Sequence, residues 1–281
     1  MSPRRILFLT PQLPYPPEQG TALRNYNLLR EVSRQHEVSL LSFQEAGAPL
    51  PEALSRVCVE VRTVIAPQRS WRERMGTLLS SPLPDMAHRL WCKAFEEALR
   101  EMEPARFDLV QVEGIELARY GLAVRAWCGP KGPRIVFDDH NAEYVLQRRA
   151  FEADRGQPGR WPAALYSLVQ WQRLRRFERE VCRAVDGVVA ASEADAQALR
   201  ALVPGLEPLV VPNGVDVERY HPGLADSVPL DHPAVVFTGK MDFRPNVDAV
   251  LWFGREVWPR IVRQRPEARF YVVGKSPHRR L

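Results

Sequence analysis

No window of this chain approaches the ~18 consecutive apolar residues that a membrane-spanning helix needs. The N-terminus lacks the features of a secretory leader. Arg4-Arg5 precedes only Ile6-Leu7-Phe8-Leu9 before Thr10-Pro11-Gln12, whereas a leader needs roughly 7–15 apolar residues. That stretch reads as the first strand, and the protein is expected in the cytoplasm. Cysteine is sparse. Cys58, Cys92, Cys128 and Cys182 are widely spaced with no C-x-x-C pair, so they read as reduced core thiols, not as a zinc or disulfide framework. No G-x-G-x-x-G follows the first strand, which argues against a nicotinamide or flavin site. No G-x-S-x-G elbow supplies a hydrolase nucleophile. Gly274-Lys275-Ser276 resembles the end of a phosphate-binding P-loop, but Arg269 stands where the earlier glycine is required. No compact nucleic-acid module is present, and no nucleic-acid partner is expected.

What is there is globular: 281 residues, 45% hydrophobic and 26% charged, enough for one large domain or two ordinary ones. The 25 prolines punctuate elements and form no low-complexity tract. A net charge of +5 suits an anionic ligand, an anionic membrane surface or nucleic acid without choosing among them, and is at least as compatible with a merely basic soluble protein.

The stretch 234–274 organises the reading. Val235-Val236-Phe237-Thr238-Gly239 is a strand, Asn246 opens an apolar-periodic helix closed by Pro266, and Arg269-Phe270-Tyr271-Val272-Val273-Gly274 is the next strand. Strand, crossover helix and strand make a βαβ unit of a parallel sheet. Two parallel strands cannot bury themselves as a domain, so this second domain is expected to be unfinished at Leu281. The chain then divides into a first domain over 1–217, a linker over 218–233, and the start of a second domain over 234–281.

Earlier in the chain, strands are expected at 5–10, 38–43, 59–65, 107–112, 134–137, 187–191 and 207–211. A proline-rich loop, Pro11 to Gly20, follows the first strand. It is longer than the usual 2–6 residues of a βα connection, which favours a binding role over a plain connection. A helix begins at Thr21, and its N-terminal amides are a ready anion site. Residues 70–103 read as a helical region broken by Pro82 and Pro84. Trp71 and Trp91 among Arg69, Arg72 and Arg74 suit a core-packed hairpin, a membrane interface or the lining of an acceptor site, the first preferred. Residues 162–185 form a long helix with a basic face, either solvated or facing anionic lipid. Ser192 caps the helix after the sixth strand.

The most polar strand terminus is Asp138-Asp139-His140-Asn141-Ala142-Glu143. Adjacent residues at a strand end point in different directions, which argues against a metal held by Asp138, Asp139 and His140. His140 aimed into the cleft, beside Asn141 as a helix cap, is the better functional reading. Arg24, Asn25, Asn141 and Glu143 are the candidate acceptor or cleft residues.

Taken together, the opening strand with its loop to Gly20-Thr21, the Asp138–Glu143 strand end, the Val211-Pro212-Asn213-Gly214-Val215-Asp216 turn and Phe237-Thr238-Gly239-Lys240-Met241 resemble family 4 glycosyltransferases of the GT-B fold. The chain looks most similar to bacterial exopolysaccharide-type sugar transferases, including the PEP-CTERM-associated group. The resemblance implies an α/β protein of two Rossmann-like domains facing a cleft, the second incomplete here. It implies retaining transfer of a sugar from a nucleotide-diphosphate donor to a glycan or lipid-linked acceptor, with no cofactor and no required metal. Gly20, Thr21, Gly239, Lys240 and Arg244 would bind the donor, and His140 would contact the transferred sugar. Two departures stand out. Pro245 occupies the family's second lysine position, where adjacent Arg244 can substitute, and the paired glutamates E-x7-E would fall beyond Leu281. Peripheral contact with an anionic membrane fits the basic helices. With the paired glutamates missing, the 281 residues alone are expected not to catalyse transfer; a nucleotide-sugar epimerase of the same fold, or an inactive binding fragment, remain the alternatives.

Overall fold

The computed structural model describes residues 2–218, 221, 223 and 228–281. The chain divides by contact into two compact units, Met1–Gly214 and Val215–Leu281. Of the stretch read as a linker, residues 219, 220, 222 and 224–227 lie outside the described residues.

In the first unit, β1 (Arg5–Thr10), β2 (Glu37–Gln44), β3 (Glu60–Ile65), β4 (Leu109–Glu113), β5 (Arg134–Asp139), β6 (Gly187–Ala190) and β7 (Leu209–Val210) form one sheet. Its order is β3-β2-β1-β4-β5-β6-β7, and every pairing is parallel. The helices are α1 (Gly20–Ser33), α2 (Glu52–Ser55), α3 (Trp71–Ser80), α4 (Asp85–Arg89), α5 (Lys93–Glu101), α6 (Ala118–Cys128), α7 (Glu143–Arg155), α8 (Trp161–Ala184) and α9 (Glu193–Leu202).

The run Ile6-Leu7-Phe8-Leu9 is apolar throughout because both sheet faces are covered. Leu7 and Leu9 join one core with Phe95 and Leu99 of α5, Tyr120 of α6 and Phe177 of α8. Ile6 and Phe8 join a second core with Leu29 of α1 and Leu54 of α2. Phe43 stacks on Phe95 at 4.3 Å between ring centroids, and Tyr120 lies 4.5 Å from the same ring. Cys58 and Cys182 are buried, Cys92 and Cys128 half-buried, and all four are free thiols.

Some elements depart from the sequence reading. The expected core-packed hairpin holds for α5, whereas α3 buries no residue. The helix α7 has no apolar stripe to announce it and buries only Asp154; it stands by packing against α8. In the second unit, the single helix expected from Asn246 starts at Arg244 and is broken by a π-helical turn over Phe253–Val257. It runs as α10 (Arg244–Trp252) and α11 (Trp258–Gln264), between parallel strands β8 (Ala234–Thr238) and β9 (Arg269–Val273). Val236, Val272 and Val273 of that strand pair are exposed. Where the segments after β8 and β9 cross, a Cβ on Gly274 would sit 1.7 Å from the Gly239 carbonyl oxygen, so only glycine fits.

Sheet order reverses between β1 and β4, with β2 on one side of β1 and β4 on the other. Ligands of such sheets sit outside the carboxyl ends of the strands at this switch point.

Because Phe95 anchors α5 against two aromatic rings in the core, Phe95→Ala should lower the unfolding free energy of the first unit by about 3–5 kcal/mol. Urea denaturation followed by circular dichroism measures it, and a loss under about 1 kcal/mol would mean the site collapses to fill the gap.

Candidate functional site

Three strand ends build the site: β1 through its proline-rich loop, β4 at Glu113, and β5 at Asp138 and Asp139. Register places Glu113 beside Asp138 across β4 and β5. Successive residues of a strand point to opposite faces, so Asp138 and Asp139 at the end of β5, and His140 just beyond it, find three different partners.

Asp138 faces α1. The buried Arg24 guanidinium grips it through Nε and Nη2, with contacts of 2.9–3.2 Å. The same guanidinium donates through Nη1 to the Val211 carbonyl at 2.7 Å and to Asn213 Oδ1 at 3.1 Å. The Pro212-Asn213-Gly214 turn is thereby tied to α1 and β5. Burial first, and the neighbouring Glu113 charge second, raise the Asp138 carboxyl to about 6 against the pull of Arg24.

His140 turns back toward β4, its Nε2 lying 2.8 Å from Glu113 Oε2. Glu113 is fully buried and also accepts from Gln111 Nε2 at 3.1 Å. With its amide assigned from the network, Asn25 donates to Glu113 Oε2 at 3.0 Å and to the Thr21 carbonyl at 3.2 Å. Facing a carboxylate, Nε2 of His140 is the donor. Burial works to lower the His140 pKa, but the bond and charge of Glu113, helped by Asp138, outweigh it and leave it raised. Gly114, at φ +82°, makes the turn that allows this approach, since a Cβ there would lie 3.3 Å from Glu116 and 3.7 Å from His140 Nδ1.

Asp139 faces the other layer. It is buried, and among the described residues no N–H reaches either of its oxygens. Burial and then the charge of Glu178 on α8 raise its pKa well above the carboxylate range. A buried carboxylate without a donor is costly, so Asp139 carries the proton and donates it to Glu178. Glu178 in turn accepts the backbone N–H groups of Glu143 at 2.9 Å and Tyr144 at 3.0 Å, while Asp195 accepts that of Ala142 at 3.0 Å. Asn141 therefore does not cap α7. Carboxylates from α8 and α9 take the free amides, and Asn141 instead donates to Glu143 at 3.3 Å.

These ends open onto a cavity of about 420 Å3 lined by Gln12, Thr21, Gly114, Glu116, His140, Asn141 and Glu143, among others. Burial first and the Glu116 charge second push the Glu143 carboxyl to about 7.

Of the expected site residues, Thr21, His140, Asn141 and Glu143 line this cavity together. Arg24 and Asn25 are buried and bonded inward, supporting the wall. Gly20 is exposed at the start of α1, where a Cβ would meet nothing within 4 Å. Gly239, Lys240 and Arg244 belong to the second unit. There Lys240 Nζ lies 3.6 Å from Asp242 and Arg244 Nε 3.3 Å from Asp248. Among the described residues, Glu113, Asp138 and His140 offer ligand atoms within 4.8 Å of one another, but Asp138 already holds the Arg24 cation and Glu113 holds His140. The reading from sequence passed over Glu113 and Glu178. The available signal for Glu113 was a carboxylate ending one parallel strand next to a strand ending in two more; for Glu178, a lone acid among the apolar positions of α8, there was none.

A family profile described as Glycosyltransferase Family 4 matches residues 19–219. Similar solved structures include the N-terminal domain of a trehalose-6-phosphate phosphatase from Candida albicans, 13% identical, with a TM-score of 0.54 over 98% of this chain and 64% of that one. A UDP-forming α,α-trehalose-phosphate synthase from Burkholderia xenovorans is 13% identical, with a TM-score of 0.52 over 100% of this chain and 65% of that one. An α,α-trehalose 6-phosphate synthase from Burkholderia multivorans is 14% identical, with a TM-score of 0.51 over 98% and 65%. The chain thus spans less than two thirds of the length of each. At such identities the likeness shows the fold alone, and that fold is GT-B. No curated protein matches the chain at a significant level.

Two titrations follow from the buried acids. Glu113→Gln removes the charge that overrides desolvation at His140, so the ring should titrate below the ordinary histidine range instead of above it. Ring-proton NMR against pH reads this directly, and an unshifted midpoint would mean Glu113 does not set it. The raised carboxyls bind more protons folded than unfolded, so they stabilise the protein fully below the usual carboxylate range, and that contribution is lost as pH rises through their folded values. The melting temperature should therefore fall from about pH 5 to about pH 8, and Asp139→Asn, which cannot ionise, should make that fall shallower. An equally steep fall in the variant would show that Asp139 is not among the groups responsible.

Proposed function

This chain belongs to glycosyltransferase family 4, and from that premise we propose that its protein transfers a sugar from a nucleoside-diphosphate sugar to a glycan or lipid-linked acceptor. The observation that carries the reading is the His140 cavity at the switch point of the sheet. A buried carboxylate fixes the ring there, and a polar wall surrounds it. In this reading the transfer is of hexosyl type, retains configuration and serves polysaccharide or cell-envelope assembly, at the inner face of the membrane. Among the described residues no helix is long and apolar enough to cross a membrane, so any membrane contact would be peripheral.

The chemistry needed is modest. The bond from the anomeric carbon to the diphosphate breaks, the acceptor hydroxyl oxygen takes that carbon, and the hydroxyl proton leaves with the diphosphate. Negative charge grows on the leaving group, where fixed cations and amides are most effective. Lys240 and Arg244 of the second unit are the candidates to meet that charge; in the first unit, Thr21 in the opening turn of α1 offers an amide of the same kind. His140, held by Glu113, contacts the sugar. No metal is required in this reading. Its support is that the cluster of possible ligands, Glu113, Asp138 and His140, is already engaged with cationic or ring partners of the chain itself.

The test is transfer by the protein expressed from its full reading frame, followed by release of nucleoside diphosphate. His140→Ala should lower turnover per folded molecule at least tenfold, with some loss of melting temperature because Glu113 is then left buried without its ring partner. Early unfolding with normal activity per folded molecule would make His140 a core residue and overturn its role.

A further inference from the structure

The helix α3 leaves Trp71 73% and Leu79 84% exposed, though it is firmly placed. A capping box of Ser70 and Glu73 fixes its start, and Arg173 of α8 donates to the Leu78 carbonyl at 2.7 Å. The first turns of α8 likewise expose Trp161 and Leu165. These helices wall a second cavity of about 400 Å3, lined by Arg69, Arg74, Arg89 and Tyr166, with Asp85 as its one carboxylate. Asp85 is shared by Arg69 at 2.8 Å and Arg74 at 3.1 Å. Two guanidinium groups thus meet one carboxylate, and Arg89 adds a third cation. Arg89 pairs with Glu116 only at 3.4 Å, and Glu116 lines the other cavity. The positive field is felt nearby, where burial first and then the Arg119 and Arg69 charges lower the His88 pKa. Arg89 lines both this cavity and the one holding His140, so the two adjoin.

Guanidinium groups converging on a half-open cavity suit a phosphate ester, which they can grip in bidentate fashion. Exposed tryptophan and leucine beside arginine suit the interfacial layer of an anionic bilayer. We propose that the Arg69–Arg74–Arg89 cavity seats the terminal phosphate of a membrane-held acceptor, while Trp71, Leu79, Trp161 and Leu165 meet the bilayer around its apolar anchor. Resting on the transfer reading, the site then presents the rest of the acceptor across Arg89 to His140.

The test is co-sedimentation with three sets of vesicles: phosphatidylcholine alone, the same doped with phosphatidic acid, whose phosphate is terminal, and the same doped with phosphatidylglycerol, whose phosphate is a diester. The protein should prefer phosphatidic acid over phosphatidylglycerol. Arg74→Gln with Arg89→Gln, at partly exposed positions where the fold should hold, should weaken that binding at least tenfold. Trp71→Ser with Trp161→Ser should do likewise, while leaving displacement by soluble glycerol phosphate intact. His140→Ala should leave vesicle binding unchanged, so that failure of the transfer reading and failure of this one are separable. Equal binding to both anionic lipids, or full binding by the arginine variant, would overturn the phosphate site. Vesicle binding indifferent to both tryptophans, with glycerol phosphate still bound, would overturn the membrane source.

Discussion

The buried pair of Arg24 and Asp138 is the contact on which the site wall depends. Taking two charges out of water is expensive, and a pair repays it only with good geometry and further hydrogen bonds. Arg24 has both: a forked contact to Asp138 and two further acceptors in the turn after β7. One side chain therefore ties α1, β5 and the segment leaving β7 at the carboxyl edge of the sheet. If either charge were left alone, the other would remain buried without compensation, so the three elements hold or loosen together. Asp138 in turn borders Glu113, and Glu113 is what positions His140.

A second polar link fixes the opposite layer. Glu178 lies on α8, yet its carboxylate caps α7. The first amides of a helix have no partner within it, and an acid at that end also complements the helix dipole. By sharing a proton with Asp139, Glu178 fastens α7 to the end of β5. The cavity wall formed by Asn141 and Glu143 thus owes its place to a residue on a different helix. This is also why α7 forms despite a polar sequence. Its start is fixed by tertiary contacts, which commonly supply most of a helix's stability.

The strands were the most legible part of the chain. Apolar runs such as Ile6 to Leu9 and Val38 to Phe43 stand out because both faces of a parallel sheet are covered. The amphipathic α8 and its buried Leu174, Phe177 and Val181 were equally plain. The Asp138–Glu143 strand end showed itself by its density of polar groups, and four of its residues, Asp139, His140, Asn141 and Glu143, line the cavity. Illegible were the pairings that join distant segments: Arg24 with Asp138, Glu178 with the start of α7, and Glu113 with His140. Each depends on strand order and register, which local periodicity does not encode. The exposure of α3 was hidden for a related reason, since Trp71 and Leu79 have the spacing of core residues and only the assembled layer shows them exposed.

These pairings also resolve an electrostatic conflict. Glu113, Asp138, Asp139, Glu143 and Glu116 crowd the end of a sheet where the proposed substrate carries phosphates. At an effective dielectric near 20, two unit charges about 4 Å apart interact by about 4 kcal/mol, so even one uncompensated carboxylate would work against an anion. The fold removes them one at a time. Arg24 cancels Asp138, a proton neutralises Asp139, and the His140 ring donates its Nε2 hydrogen to Glu113. Arg89 pairs with Glu116, and Glu143, titrating at about 7, is only partly charged near neutrality. The acids thus serve as scaffold while contributing little net field, and the basic cavity beyond them, where Arg69 and Arg74 share the single carboxylate of Asp85, sets the sign that an approaching phosphate meets.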